Sequence, residues 1–463
     1  MEWSIFLGDA RDLDGHPGMT YPYFLTDEQV RRGVYIIGGS QTGKTNALKV
    51  VLSQMVEQGG SFTSVDLEGS THEHLLRKIA GSMEPEEAAE RFVVVDFTNG
   101  EYFLPLNFLA PDAFYRSYTI VKTIVSVMAS VWPSAFDVGA RMRGMLESAF
   151  SLLASHRLPM SAFRYIVDDA ELCAALADGT KDELGRDFYR HYRAMPDYTF
   201  KNWVESSYNK INPLVSSAFL GPCFRAASCV NFAEHMDAGR SVLIRLDERH
   251  LTEDLRLIGG LLVAKYDLDA ARREEGARLH TLVLDESQEY ISSTVDRLVS
   301  RRMKRGLATV IAHQAPEQLD EELLATVLAS TRTRIVFSLG NMDQARFMAR
   351  QLFPLTGNRG HSINEEIEHF AGQLQNQRVG EAVIHDIDAG RTAWLAIPKA
   401  EDLPANERVQ AFTEASMRRY LCSRADVLAE HARVAEYLSG YREEAKKRAH
   451  AKAMRKMQRR RRA

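Results

Sequence analysis

The stretch Gly33–Val50, GVYIIGGSQTGKTNALKV, constrains this chain most. Gly38, Gly43, Lys44 and Thr45 meet the pattern G-x-x-x-x-G-K-[ST], with an apolar β-branched run before it and a helical pattern after it. Glycines at these points let backbone N–H groups curl around phosphates, and the helix N-terminus adds positive potential. The expected nucleotide contacts are therefore Gly38, Gly39, Ser40, Gln41, Thr42, Gly43, Lys44, Thr45 and Asn46. Lys44 is expected at the β- and γ-phosphates and the Thr45 hydroxyl on Mg²⁺, so the expected cofactors are ATP and Mg²⁺.

A loop of this kind needs a strand before it, and other strands are legible. VYIIG (34–38), SFTSVD (61–66), RFVVVDF (91–97), SVLIRLD (241–247), HTLVLDE (280–286), ATVIAHQ (308–314) and RIVFSLG (334–340) are nearly continuous apolar runs bounded by turn residues. That pattern suits parallel strands buried on both faces. Helical patterns lie between them, which predicts an α/β fold with a mostly parallel sheet flanked by helices. A hairpin is expected over 380–398, turning at Ala389-Gly390.

The rhythm breaks between about Pro111 and Phe232, where only helix-like stretches are found, and this predicts an all-helical insertion. The expected organisation is an ATPase domain in two parts, 1–110 and 233–423, around an insertion at 111–232, followed by a helical basic tail at 424–463. The net charge is −4, yet Tyr441–Ala463 carries eleven Lys or Arg against two Glu, leaving −13 on the rest. Cys173, Cys223, Cys229 and Cys422 are scattered, with no C-x-x-C pair. That excludes a disulfide framework or a zinc site and favours a reducing, cytoplasmic setting. The most apolar run, Tyr118–Trp132, is too short to span a bilayer and contains Lys122, so a buried helix and no membrane segment are expected. The N-terminus lacks the pattern of a signal peptide.

Two further stretches carry chemistry. In LHTLVLDESQEY an apolar strand runs into Asp285 and Glu286. Acidic groups at a buried strand's C-terminal end lie where ligands bind in such sheets. Asp285 is the expected partner of Mg²⁺, and Glu286 the group that polarises an attacking water. A solvated acidic turn is the bland alternative, made less attractive by the loop. In ATVIAHQAPEQL the strand ends on Gln314, expected near the γ-phosphate or the water, with Gln288 a rival for that role. By strand alternation His313 faces away and is expected to be structural.

These motifs stand in series with VDLEGS, RFVVVDF…LPLNFL, MDAGRSVLIRLDERHLTEDLRLIGGLL, RRMKRGLATVIAHQ and TRTRIVFSLGNMDQ. The series resembles the HerA–FtsK superfamily of ring ATPases, and within it the conjugative coupling proteins of type IV secretion and their soluble relatives, over roughly Leu7 to Pro398. The resemblance implies a RecA-like core, self-association into a hexameric ring and ATP-driven movement of DNA through it. It also implies a neighbour's Arg at the γ-phosphate, for which Arg302, Arg305, Arg332 and Arg334 are candidates, and partners such as a relaxase or a secretion channel. Three features depart from the family: no transmembrane start, Glu68 where Lys or His is common, and Met303 where Arg is common.

DNA passing through a ring must meet basic groups. Phe188–Lys210 interleaves aromatics with Arg190, Arg193, Lys201 and Lys210, but amphipathic core helices explain it better. The basic tail is a second candidate, balanced against a solvated segment. Two other functions remain open: a HerA-like motor working with a nuclease in DNA processing or antiphage defence, and an ATPase that remodels or assembles proteins.

Overall fold

The computed structural model describes residues 3–13, 19–133, 140–251, 254–290, 298, 301–355 and 362–462. They form two compact units, Met1–Asp96 with Asn231–Arg419, and Phe97–Val230 with Tyr420–Ala463.

The strands, in chain order, are β1 (Ser4–Asp12), β2 (Tyr21–Thr26), β3 (Val34–Ile37), β4 (Phe62–Asp66), β5 (Phe92–Asp96), β6 (Tyr102–Phe103), β7 (Ser241–Arg245), β8 (His280–Leu284), β9 (Leu307–His313), β10 (Thr333–Phe337), β11 (Glu381–Asp386), β12 (Arg391–Ala396) and β13 (Cys422–Ser423). The first unit is built on one sheet, in the order β2-β1-β12-β11-β10-β3-β9-β8-β4-β7-β5. From β10 to β5 every pairing is parallel. The strands β3, β4, β8, β9 and β10 are buried at every position. That burial explains their unbroken apolar runs: helices such as Lys44–Gln58 and Leu255–Arg272 leave no solvated face for polar residues to occupy.

β11, β12, β1 and β2 extend the sheet by antiparallel pairing. The hairpin turn lies beyond Asp386, as expected from Ala389-Gly390, with Gly390 at φ +61°. β1 and β2 were not legible in the sequence. They are a local hairpin with a register shift between Phe6 and Gly8, and Gly8 lies so close to Ala396 that a Cβ there would come within 2.1 Å of its carbonyl oxygen. The sheet's C-terminal edge collects the ends of β3, β8 and β9 side by side, which is what positions the site.

The second unit is helical. Between Phe103 and Ser241 the described residues hold no strand beyond the single bridge Leu106–Cys229. Its helices include Ser117–Val131, Ala140–Ser155, Ala170–Gly179 and Asp197–Ser216. Phe150, Phe163, Phe188, Phe200 and Phe224 are fully buried in its core. The chain returns through β13, paired with β6, into the long helix Arg424–Arg462. Val427, Val434 and Leu438 of that helix are buried, Tyr437 Oη lies 2.9 Å from His156 Nδ1, and Arg442 donates to Asp169 at 2.8 Å. No helix among the described residues is long and apolar enough to cross a membrane. Cys173, Cys223, Cys229 and Cys422 form no disulfide among the described residues.

Candidate nucleotide-binding site

The loop between β3 and the helix Lys44–Gln58 is held from both sides. Gly39 N–H donates to Ser338 O at 2.8 Å, and Gly380 N–H donates to Thr42 O at 2.9 Å. Thr42 Oγ1 closes the turn on Gly39 O at 2.8 Å. Two glycines are sterically required: a Cβ on Gly38 would lie 2.4 Å from Phe337 Cβ, and Gly43 stands at φ +120°. Ser40 and Gln41 form the exposed crest.

Lys44 is buried, and its Nζ donates to Gly38 O at 2.8 Å and Gly39 O at 3.1 Å. Burial lowers its pKa against the opposing charges of Glu286, Asp285 and Glu68. With backbone carbonyls as its hydrogen-bond partners among the described residues, this ammonium is poised for an anion. Asn46 is placed otherwise: its side-chain amide donates to Pro398 O and accepts from Ala400 N, both at 2.8 Å. Its side chain thus anchors the segment after β12, and its backbone alone is left for a phosphate.

β9 lies between β3 and β8 and pairs with both. This brings Thr45, Asp285, Glu286 and Gln314 together. Thr45 Oγ1 is 3.5 Å from Asp285 Oδ2, across 240 residues of sequence. Gln314 Nε2 lies 3.1 and 3.0 Å from the two Glu286 oxygens, and Gln288 Nε2 donates to Glu286 Oε2 at 2.8 Å. Glu286 sits in the left-handed region at φ 48°, ψ 44°. His313 is buried, with Nδ1 3.0 Å from Ala315 O and Nε2 2.8 Å from Tyr35 Oη. Burial holds it near pKa 4 and so neutral. Nδ1 must then carry the proton and Tyr35 donate to Nε2, a structural role.

The carboxyl of Asp285 is raised to about 7, first by burial, then by Glu286 and Asp66. A desolvated carboxyl beside other carboxylates, within reach of a Thr hydroxyl, is a donor set that suits Mg²⁺: a cation replaces the missing solvation and cancels the repulsion.

The four candidate arginines are all engaged internally. Arg302 pairs with Asp267 at 2.6 Å, and Arg305 donates to Arg273 O. Arg332 pairs with Asp388 at 2.6 Å, and Arg334 is buried, donating to Leu328 O and Gln351 O. In the helical unit, Arg193 pairs with Asp197 at 2.9 Å and lies over Phe200, and Lys210 lies over Trp132. Of the interleaved aromatics there, Phe188 and Phe200 are buried in the core, whereas Tyr198 is 79% exposed. What sequence reasoning missed is the support of the loop by Gly380, Pro398 and Ala400, contacts made across more than 330 residues with no local signal.

No family model and no curated protein matches the chain. Solved structures do. The bacterial conjugative coupling protein TrwB, in an unbound monoclinic form, aligns with a TM-score of 0.56 and 14% identity over 82% of this chain and 88% of its own. This chain has the P-loop NTPase fold of TrwB. The TrwB complex with ADP and Mg²⁺ gives 0.56 and 14% over 83% and 89%, and that with the GTP analogue GDPNP gives 0.55 and 13% over 82% and 89%. At such identities the likeness is one of fold.

Proposed function

We propose that this chain is an ATP-hydrolysing motor of the coupling-protein type, which assembles into a hexameric ring and moves DNA in conjugative transfer or a related mobile-element process. One observation carries the hydrolase part: Lys44, Thr45, Asp285, Glu286 and Gln314 converge at one sheet edge from β3, β8 and β9. The loop N–H groups bind the phosphates, and Lys44 exchanges Gly38 O and Gly39 O for phosphate oxygens. Thr45 and Asp285 would hold Mg²⁺, which would neutralise charge on the phosphates. Glu286 orients the attacking water and takes its proton, and Gln314 fixes Glu286.

The DNA part is supported by the fold shared with TrwB, whose structures are those of a conjugative coupling protein, together with the motif series of the ring ATPases. TrwB has been solved with both an ATP and a GTP analogue, so hydrolysis of the two nucleotides should be compared directly. The test is nucleotide turnover with and without single-stranded and duplex DNA, alongside particle images in nucleotide. DNA should stimulate turnover and rings should form. Turnover indifferent to both DNAs but raised by a protein partner would replace the motor with a protein-remodelling ATPase.

A further inference from the structure

Glu286 is gripped from two sides. Gln314 reaches it from β9 and is shared between both carboxylate oxygens. The second grip comes from the acidic strand's own end, where Gln288, in the short turn Ser287–Glu289, donates Nε2–H to Glu286 Oε2 at 2.8 Å. Among the described residues, no group donates to the buried Gln288 Oε1. This amide is therefore tethered through its nitrogen alone and can rotate away without breaking a second side-chain bond. The backbone beneath it is also special. Glu286 occupies the left-handed region, which a side chain enters at a cost, and such outliers persist where the surroundings impose them. Tyr290 Oη pins that backbone by donating to Asp285 O at 2.5 Å.

We propose that Gln288 is a positioning residue that restrains the Glu286 carboxylate in the resting site, and that its release sets the rate of hydrolysis. This rests on Glu286 being the base. A carboxylate that accepts a proton from water needs a lone pair aimed at that water. With Gln288 on Oε2 and Gln314 bridging both oxygens, the carboxylate is fixed in one rotamer and part of its accepting capacity is taken. Gln314 belongs to the neighbouring strand and holds Glu286 in register with the phosphates. Gln288 travels with Glu286 on the same turn, so it restrains the side chain without orienting it toward the phosphates.

The test is steady-state turnover, with and without DNA, of Gln288→Met, which keeps the volume but removes the donor, and of Gln288→Ala. Both should raise basal kcat by about 10- to 150-fold, the range open to one charge-assisted hydrogen bond, with KM for nucleotide unchanged and a smaller ratio of stimulated to basal rate. A fall in kcat at constant KM would overturn the proposal and make Gln288 a water-positioning group. An effect seen in Ala but not in Met would overturn it as mere packing. If the wild-type protein turns over no nucleotide at all, the hydrolase reading falls and this inference with it. If it does turn over and Gln288→Met is unchanged, the inference alone falls.

Discussion

At the ends of β4, β5 and β7 the charges are paired off. Asp66 accepts from the backbone N–H groups of Glu68, Gly69 and His72 and so caps the helix Ser70–Ser82. Asp247, fully buried, is bonded by Arg245 at 2.7 Å and by Arg249 at 2.8 and 3.1 Å. Its pKa is driven well below the usual carboxylate range, first by Arg249. On the adjoining strands of the same edge, β8, β9 and β3, the pattern is reversed. Among the described residues, Lys44 donates to backbone carbonyls, Glu286 is held by side-chain amides, and Asp285 is raised rather than lowered. Charge that is fully answered within the protein stabilises the fold, whereas charge left half-answered is available to a ligand.

That contrast can be broken most directly at the half-answered group. Glu286→Gln should cut turnover by about 10²–10⁴-fold while nucleotide affinity stays close to wild type, and Lys44→Ala should lose both. Neither should lower the melting temperature. If either variant melts early, the two groups of charge do not differ as argued. Turnover assays, nucleotide titrations and thermal scans decide it.

At the paired group the order of effects inverts. Asp247→Ala should cost about 2 kcal/mol of stability, less than the 3–5 kcal/mol of a wholly buried pair because Arg249 stays in water. Nucleotide affinity should not change. Urea unfolding with and without nucleotide measures both.

The two aspartates also give opposite pH signs. Asp247 is lowered, so its contribution is present above the ordinary carboxylate range and is lost as pH falls. Asp285 is raised from 3.8 to about 7, so between those values the folded chain holds the extra proton. Its contribution is full below about pH 4 and is lost as pH rises towards 7. Asp285→Asn should therefore gain stability on wild type between pH 4.5 and 7.5. Binding of Mg²⁺ and nucleotide near pH 7 should release up to one proton from wild type and none from Asp285→Asn, read as a buffer-dependent calorimetric heat.

The smallest effect on stability is expected at Arg332, a half-exposed partner of Asp388. Arg332→Ala should melt like wild type, as exposed pairs do. A loss of turnover without loss of stability would sharpen the comparison by assigning Arg332 the charge supplied to a neighbour's site.

The parallel core was legible because its strands are buried on both faces: Val93, Val94, Leu282, Val283 and Val310 leave no alternation to misread. The loop was legible because phosphate binding demands Gly38 and Gly43 on local grounds. Gln314 was read only as a residue near the γ-phosphate or the water; its contact with Glu286 was not legible, because it depends on β9 falling between β3 and β8. β1 and β2 were not, being short and dependent on β12. In the last helix, Val427, Val434 and Leu438 recur on one face within a charged sequence, and charge density masked that face. The side-chain placement of residues 448–462, and with it the expected role of the basic tail, lies outside the described residues.

The strand order also sets a timetable for synthesis. β3 emerges from the ribosome about 270 residues before the nearer of its two sheet neighbours, β9, and about 300 before the other, β10. At 5–20 residues per second that is roughly 15–55 s during which a strand destined for complete burial has no partner. Through that interval β3 presents its apolar side chains to solvent, so early burial of β3 depends on chain made much later.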